Sequence, residues 1–308
     1  MSNNKADTIL LAILACLLWS SAFAGIKLGL PYTTPLQFAG IRFFISGLLV
    51  LPIAYRRNPT LILIAIKNWK TILLLGFLQI VVQYALFYTG ISMVPGAVGA
   101  IVIGSSPLFI ALIAHRFMPD DKMTFGKLFS IVFGILGVVL VSIGKDRFGV
   151  AGDMALLGIL ILVGNNILSG FTNILIAKEK GMIPPFVLSS FSMILGGLAL
   201  FLISIPIEGL SWSPKPPIYY ISLAWLSILS AVAISIWTLL LKRPGIKISN
   251  LNLWKFLIPV AGAALSWLIL PQESPDLLSV SGMIVIAASL IILNIFNRKH
   301  QKNVLLKG

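Results

Sequence analysis

Long apolar runs, separated by short polar stretches, fill the chain from Thr8 to Phe296. A helix of about 20 mostly apolar residues crosses the roughly 30 Å hydrocarbon core of a bilayer. Ten runs reach that length: Thr8–Leu30, Leu36–Arg56, Trp69–Gly90, Val94–Phe117, Phe125–Gly144, Asp153–Lys178, Pro184–Ile207, Pro217–Leu241, Ser249–Leu270 and Leu277–Phe296. The pattern predicts an all-α polytopic membrane protein of ten transmembrane helices. The longest links, near Arg57–Asn68 and Glu208–Pro216, are loops of about 10–12 residues, so no soluble domain is expected.

The pattern also repeats. Pro107 is followed by Asp121, Ser130 and Gly137, and Pro259 by Glu273, Gly282 and Ser289, at the same spacings. The fourth and ninth runs thus hold equivalent places in two five-helix halves, residues 1–145 and 146–308, the second ending in a short basic tail. Five is odd, so the second half enters the membrane from the opposite side. Inverted repeats of this kind are common in secondary transporters, whose substrate site lies near the midplane between the halves.

Composition fits a membrane protein: 58% of the 308 residues are hydrophobic and 10% charged. The net charge of +14 could point to nucleic acid, but cytoplasmic loops of membrane proteins carry excess Lys and Arg. Sorted by loop, seventeen basic residues fall on one side, among them Lys5, Arg56, Arg57, Lys122, Lys127, Lys180, Lys247 and Lys307. Three, Lys145, Arg147 and Lys215, fall on the other. This predicts both termini in the cytoplasm, with the bilayer and a small molecule as partners and no nucleic acid. The expected state is a monomer or weak homodimer. Lys5, the run Ile9–Leu18 and Ala22-Phe23-Ala24 imitate a signal peptide, but the apolar stretch continues to Leu30 and reads as the first helix. Cys16 is the single cysteine, so no disulfide within the chain is possible.

Several helix faces are polar. Asn165, Ser169, Thr172 and Asn173 form a stripe in the sixth run, with Asn166 beside it. Gln79 and Gln83 stack in the third, next to Tyr84; Ser227, Ser230 and Trp237 lie in the eighth, and Trp19, Ser20 and Lys27 in the first. In the ninth, Asn252, Lys255, Pro259, Gly262 and Ser266 share a face. Such residues either bond helices together or face a wet cavity. Scattered serines favour the first reading, the Asn stripe and Gln pair the second. Gly96, Ala100, Gly104, Pro107 and Ala111 give the fourth run a small-residue side suited to close packing. Pro107 and Pro259 permit kinks and are hinge candidates.

No Asp or Glu lies in the middle of a run. Lys27 lies near a helix end and is expected to snorkel. Arg42 and Lys255 lie deeper and either snorkel or face the cavity. A cavity cation without a carboxylate partner favours an anionic guest and argues against a proton relay through a membrane carboxylate. Enzymatic motifs are missing: His115 and His300 form no metal-protease pattern, and there is no phosphate-binding glycine loop. The Gly149–Asp153 stretch superficially resembles an aspartyl-protease motif but lacks a second carboxylate in the membrane. No metal, cofactor or catalytic residue is expected.

Leu18-Trp19-Ser20-Ser21-Ala22-Phe23, Pro35 with Arg42-Phe43, and the duplicated Pro107–Gly137 and Pro259–Ser289 stretches resemble EamA-type transporters of the drug/metabolite transporter superfamily. The resemblance spans nearly the whole chain. It departs from the family pattern at Asp120-Asp121, where Glu is usual, at Ser130 and Ser289, where glycine is usual, and at Gly164-Asn165-Asn166, which lacks a Trp. The likeness implies two inverted EamA repeats around a central cavity lined by the first, third, fourth, sixth, eighth and ninth helices. It also implies movement of small polar metabolites, often amino acids or related compounds, frequently outward. The candidate wall is Trp19, Ser20, Gln79, Gln83, Tyr84, Asn165, Asn166, Ser169, Asn173, Trp237, Asn252 and Lys255. The sequence thus reads as an exporter in the cytoplasmic membrane working by alternating access, with an importer or exchanger of a metabolite or nucleotide-type anion as the alternative. A membrane enzyme or receptor is the remote one.

Overall fold

The computed structural model describes residues 2–118, 123–143, 152–179, 182–210, 213–246 and 248–305. Asp120, Asp121, Lys122, Lys145, Asp146, Arg147, residues 149–151, Lys180, Lys247 and Lys307 lie outside the described residues. So do the expected boundary at 145/146 and the side chains of Lys5, Lys127, Arg298, Lys299, His300 and Lys302.

Among the described residues every regular element is helical. In chain order these are α1 (Ser2–Gly29), α2 (Pro35–Arg57), α3 (Leu61–Lys67), α4 (Trp69–Gly76), α5 (Gln83–Ser92), α6 (Gly96–Gly104) and α7 (Ser106–Phe117). There follow α8 (Phe125–Ile143), α9 (Gly152–Lys178), α10 (Pro185–Glu208), α11 (Pro217–Leu241), α12 (Ile248–Asn252), α13 (Leu257–Ile269) and α14 (Leu277–Leu305). Prolines open several of them, at Pro35, Pro185 and Pro217, where the missing N–H forfeits no helical bond. The Arg57–Asn68 link, expected as a loop, contains α3, which exposes Ile62, Leu63 and Ile66.

Seven helical stretches are long and apolar enough to cross a membrane: Ala6–Tyr32, Pro35–Arg57, Trp69–Ser92, Gly96–Phe117, Asp153–Lys178, Pro185–Glu208 and Pro217–Leu241. By length and composition the count among the described residues is therefore seven, against the ten expected. The other apolar stretches, Leu128–Leu140, Leu253–Ile269 and Leu277–Ile292, are shorter. The middle one begins with the 3₁₀ turn at Leu253–Phe256 that joins α12 to α13. The outer two lie on α8 and α14, whose helices run for 19 and 29 residues and continue past the apolar stretch.

Glycine governs how closely these helices approach. Lipid gives no hydrophobic drive for helices to associate, so close packing must hold them. A Cβ on Gly40 of α2 would lie 2.5 Å from the backbone nitrogen of Phe201 on α10. One on Gly197 of α10 would lie 2.4 Å from Phe44 N. α8 and α14 meet the same way, with Gly137 against Ile286 and the Gly282 carbonyl. The pairings are reciprocal: α1 packs on α11 and α13, and α9 on α5 and α6–α7, while α2 packs on α10 and α11. The α6–α7 segment is the most buried of the seven spans and sits at the centre.

Carboxylates bind the helix ends together. At one end Glu208 accepts from Leu36 N and Gln37 N at 3.0–3.1 Å, capping α2. Glu273 accepts from Gly96 N at 2.6 Å and Ala97 N at 2.9 Å, capping α6. These helix N-termini favour negative charge. At the opposite end Lys242 pairs with Glu179, and Arg243 donates to Thr8 Oγ1 at 2.7 Å.

Candidate functional site: a cavity at three helix interruptions

Among the described residues three apolar segments break or change helix type at positions that border one cavity. The first joins α4 to α5 through a π-helical turn, Phe77–Val82, in which Gln83 N–H reaches Leu78 O. Such bulges commonly mark functional sites. Gln79 lies inside this turn and Gln83 at its end, and both line the cavity.

The second interruption lies between α6 and α7. Pro107 has no N–H to offer Ile103 O. Ser105 N–H turns back to Val102 O at 3.1 Å, and Ser105 Oγ donates to the same carbonyl at 2.6 Å. Asn166 Nδ2, reaching across from α9, donates to Val102 O at 2.8 Å. The third is the 3₁₀ turn that holds Lys255, where Pro259 likewise offers no N–H to Lys255 O. The two proline segments touch. A Cβ on Gly104 would lie 2.2 Å from Pro259 Cδ, and one on Gly262 would lie 2.7 Å from Ala100 Cβ.

The cavity holds about 90 Å³ for the centres of water-sized molecules, enough for several waters or a small solute. Its wall includes Trp19, Gln79, Gln83, Tyr84 and Trp237. It also includes Asn165, Asn166, Ser169 and Asn173 on α9, and the two cations Arg42 and Lys255. Among the described residues no Asp or Glu lines it, and no group of three His, Cys, Asp or Glu side chains is placed to hold a metal.

The two cations differ. Arg42, 1% exposed, is held by neutral partners. Its Nε donates to Ser230 Oγ at 2.8 Å and Leu226 O at 3.1 Å, and Nη1 to Tyr88 Oη at 2.6 Å. Its guanidinium lies 4.9 Å from the Phe43 ring centre. Lys255, 7% exposed, makes no hydrogen bond among the described residues and faces two rings: its Nζ lies 5.1 Å from the Trp237 ring centre and 5.7 Å from that of Trp19. The indoles meet edge to face at 5.1 Å. Cation–π attraction supplies about 0.5–2 kcal/mol, which does not replace the hydration shell of an ammonium. Among the described residues no carboxylate pairs with Lys255.

Two expected wall residues lie elsewhere. Ser20 is fully buried, and its hydroxyl donates to Cys16 O at 2.8 Å within its own helix. Asn252 is fully buried behind Asn173, accepting from Asn173 Nδ2 at 3.1 Å and donating to Ile248 O at 2.9 Å. Lys27 is half-buried near the end of α1 and feels the charge of Glu273. The wall also contains Ala22, Phe23, Phe87, Ile103, Ser106, Thr172, Ile234 and Ile258. Of these only Thr172, which donates to Gln83 Oε1 at 3.1 Å, stood on an expected polar stripe. Ser106 could have been found from its place beside Pro107; the apolar residues carry no signal that separates them from lipid-facing ones.

The family model of EamA-like transporters matches residues 7–143. The chain is 23% identical over 291 residues to the uncharacterized transporter YvbV of Bacillus subtilis, covering 94% of this chain and 92% of that one. It is 29% identical over 271 residues to the uncharacterized transporter YdfC of the same organism, covering 87% and 84%. It is 30% identical over 144 residues to the inner membrane protein YtfF of Escherichia coli, covering 46% and 44%. A known crystal structure superposes with a TM-score of 0.71 over 96% of this chain and 98% of its own, a likeness of fold alone at 16% identity. With its membrane-length helices the chain is a multi-pass membrane protein, and its residues 7–143 match the EamA-like transporter family.

Proposed function

We propose that the chain is a secondary carrier, and not an enzyme, that exports small polar metabolites bearing a carboxylate across the cell membrane by alternating access. Amino acids and related compounds are the substrate class. The observation that carries the reading is Lys255, a buried ammonium on the wall of the cavity with two indoles and, among the described residues, no carboxylate beside it. A charge so placed is costly unless a counter-charge arrives with the guest. Arg42, saturated in part by neutral oxygens, adds to the positive potential.

In this reading the chain forms ten membrane helices in two inverted repeats, residues 1–145 and 146–308, with both termini cytoplasmic. The reciprocal pairing of α1 with α11 and α13, and of α9 with α5 and α6–α7, supports the repeat. The contact of Gly104 with Pro259 supports a rocking point between the halves. The carrier works as a monomer or weak homodimer, without cofactor, metal or nucleic acid.

Metabolite profiling of a deletion strain against an overexpressing strain tests the proposal. Carboxylates accumulate in the medium of the overexpressing strain and in the cytosol of the deletion strain. Changes confined to uncharged or cationic metabolites contradict it.

A further inference from the structure

The cavity wall carries a second kind of chemistry. Asn166 is fully buried on α9, and its amide has only one orientation. Nδ2 donates to Val102 O at 2.8 Å and lies 3.3 Å from Ser105 Oγ. A backbone carbonyl only accepts, so turning the amide over would set two acceptors face to face. Oδ1 is therefore fixed as an acceptor, and it is buried without a donor. One residue earlier, Asn165 Oδ1 is also buried without a donor, and since no hydrogen bond ties down that amide it is free to turn its oxygen toward a donor on the guest.

Several donors on the wall are committed, whereas Trp237 Nε1 and Ser106 Oγ are buried without a partner and make no hydrogen bond to either asparagine. Thr172 Oγ1 serves Gln83 Oε1 and Ser169 O, Asn173 Nδ2 serves Asn252 Oδ1, and Arg42 Nε and Nη1 serve Leu226, Ser230 and Tyr88. A buried acceptor left empty is costly, and a site built around one rejects a guest that cannot fill it.

We infer that Asn165 and Asn166 form an acceptor pole that reads a hydrogen-bond donor on the guest, a hydroxyl or an ammonium group, beside the anionic group drawn to Lys255. The inference rests on the anionic reading of the cavity and narrows it. The guest is a hydroxy- or amino-substituted acid, and a plain acid of the same skeleton is discriminated against.

Matched acids separate the two poles. Propanoate, lactate and alanine share one skeleton; succinate, malate and aspartate share a second; phenylpropanoate, phenyllactate and phenylalanine share a third. Glycerol and ethanolamine carry donors without a carboxylate. The readout is the melting temperature of the purified full-length protein with each compound, repeated for Asn165→Leu. Substituted acids are expected to stabilise the wild type at concentrations about tenfold or more below those of the plain acid in the same set. In Asn165→Leu, which shows its own cooperative melting transition if folded, that preference falls severalfold; if the variant does not fold, the wild-type ratios decide. Stabilisation by hydroxy and amino members alike assigns both donors, and stabilisation by one alone names the donor read. Plain acids that stabilise as well as their substituted partners overturn the acceptor pole and leave the anionic reading standing, as does an unchanged preference in folded Asn165→Leu. Stabilisation by glycerol or ethanolamine and by no acid overturns the anionic reading and leaves the acceptor pole. No stabilisation by any compound counts against both.

Discussion

The α6–α7 and α12–α13 segments break just ahead of matched prolines, and their surroundings differ in kind. Pro107 and Pro259 stand 152 residues apart, as do Ile103 and Lys255, and Ser106 and Ile258; all four of the latter line the cavity. At the first break the residue four before proline is Ile103, and the freed backbone is answered from outside: Asn166 and Ser105 both donate to Val102 O. At the second, the same position is Lys255, whose charge faces the rings of Trp19 and Trp237 and, among the described residues, meets no carboxylate. One backbone device thus occurs twice, as a packed hub in one half and as a charged binding element in the other. A duplicated fold supplies the interrupted helix, and one side chain turns it into a site.

The hub is the more sensitive to volume. Gly104→Leu forces the α6–α7 and α13 backbones apart, because the first added carbon already meets the rigid Pro259 ring at 2.2 Å. The expected loss of stability lies at or above the ~1–3 kcal/mol usual for overpacking. It is read as a lowered melting temperature and a lower yield of monodisperse protein. A Gly104→Leu protein as stable as the wild type would remove the hub from the comparison.

Asn166→Leu probes the external cap with a smaller effect. Val102 O loses one donor but keeps Ser105 N and Oγ, so the expected cost is about 0.5–1.5 kcal/mol in melting experiments. No loss would mean that the break is held by Ser105 alone. Lys299→Gln, in the terminal basic stretch far along the sequence from either break, is expected to change neither stability nor transport, and any sizeable effect in the transport assay would show that charge acts generally and not at Lys255.

Some of this was legible in the chain. The two prolines announce the breaks, and the amides at Gln79, Gln83, Asn165 and Asn173 stand out because lipid cannot hydrate them. Long-range partners were not legible. Arg42 draws its hydrogen bonds from Leu226, Ser230 and Tyr88, residues 46 to 188 positions away. Ser20 and Asn252 share helical spacing with true wall residues, but spacing reports a face and not what stands in front of it. Ser20 bonds to its own helix, as serines readily do, and Asn173 stands between Asn252 and the cavity. The π turn at Phe77–Val82 has no proline to mark it, and the fifth, ninth and tenth apolar runs give no stretch of membrane length among the described residues, because an apolar run does not report how far the helix under it continues.

Export measured with Lys255 altered tests the central claim most directly. Cells producing equal membrane amounts of wild type, Lys255→Gln, Lys255→Glu and Lys299→Gln are compared for release of the carboxylates that the wild type moves into the medium. Losing a charge-assisted contact of about 1.5–3 kcal/mol lowers release by roughly tenfold or more at limiting internal concentration in Lys255→Gln. Lys255→Glu releases less still because it repels the anion, and Lys299→Gln matches the wild type. Wild-type release by Lys255→Gln across a range of internal concentrations would contradict the account, leaving Lys255 as a cation held by Trp19 and Trp237 with no part in transport.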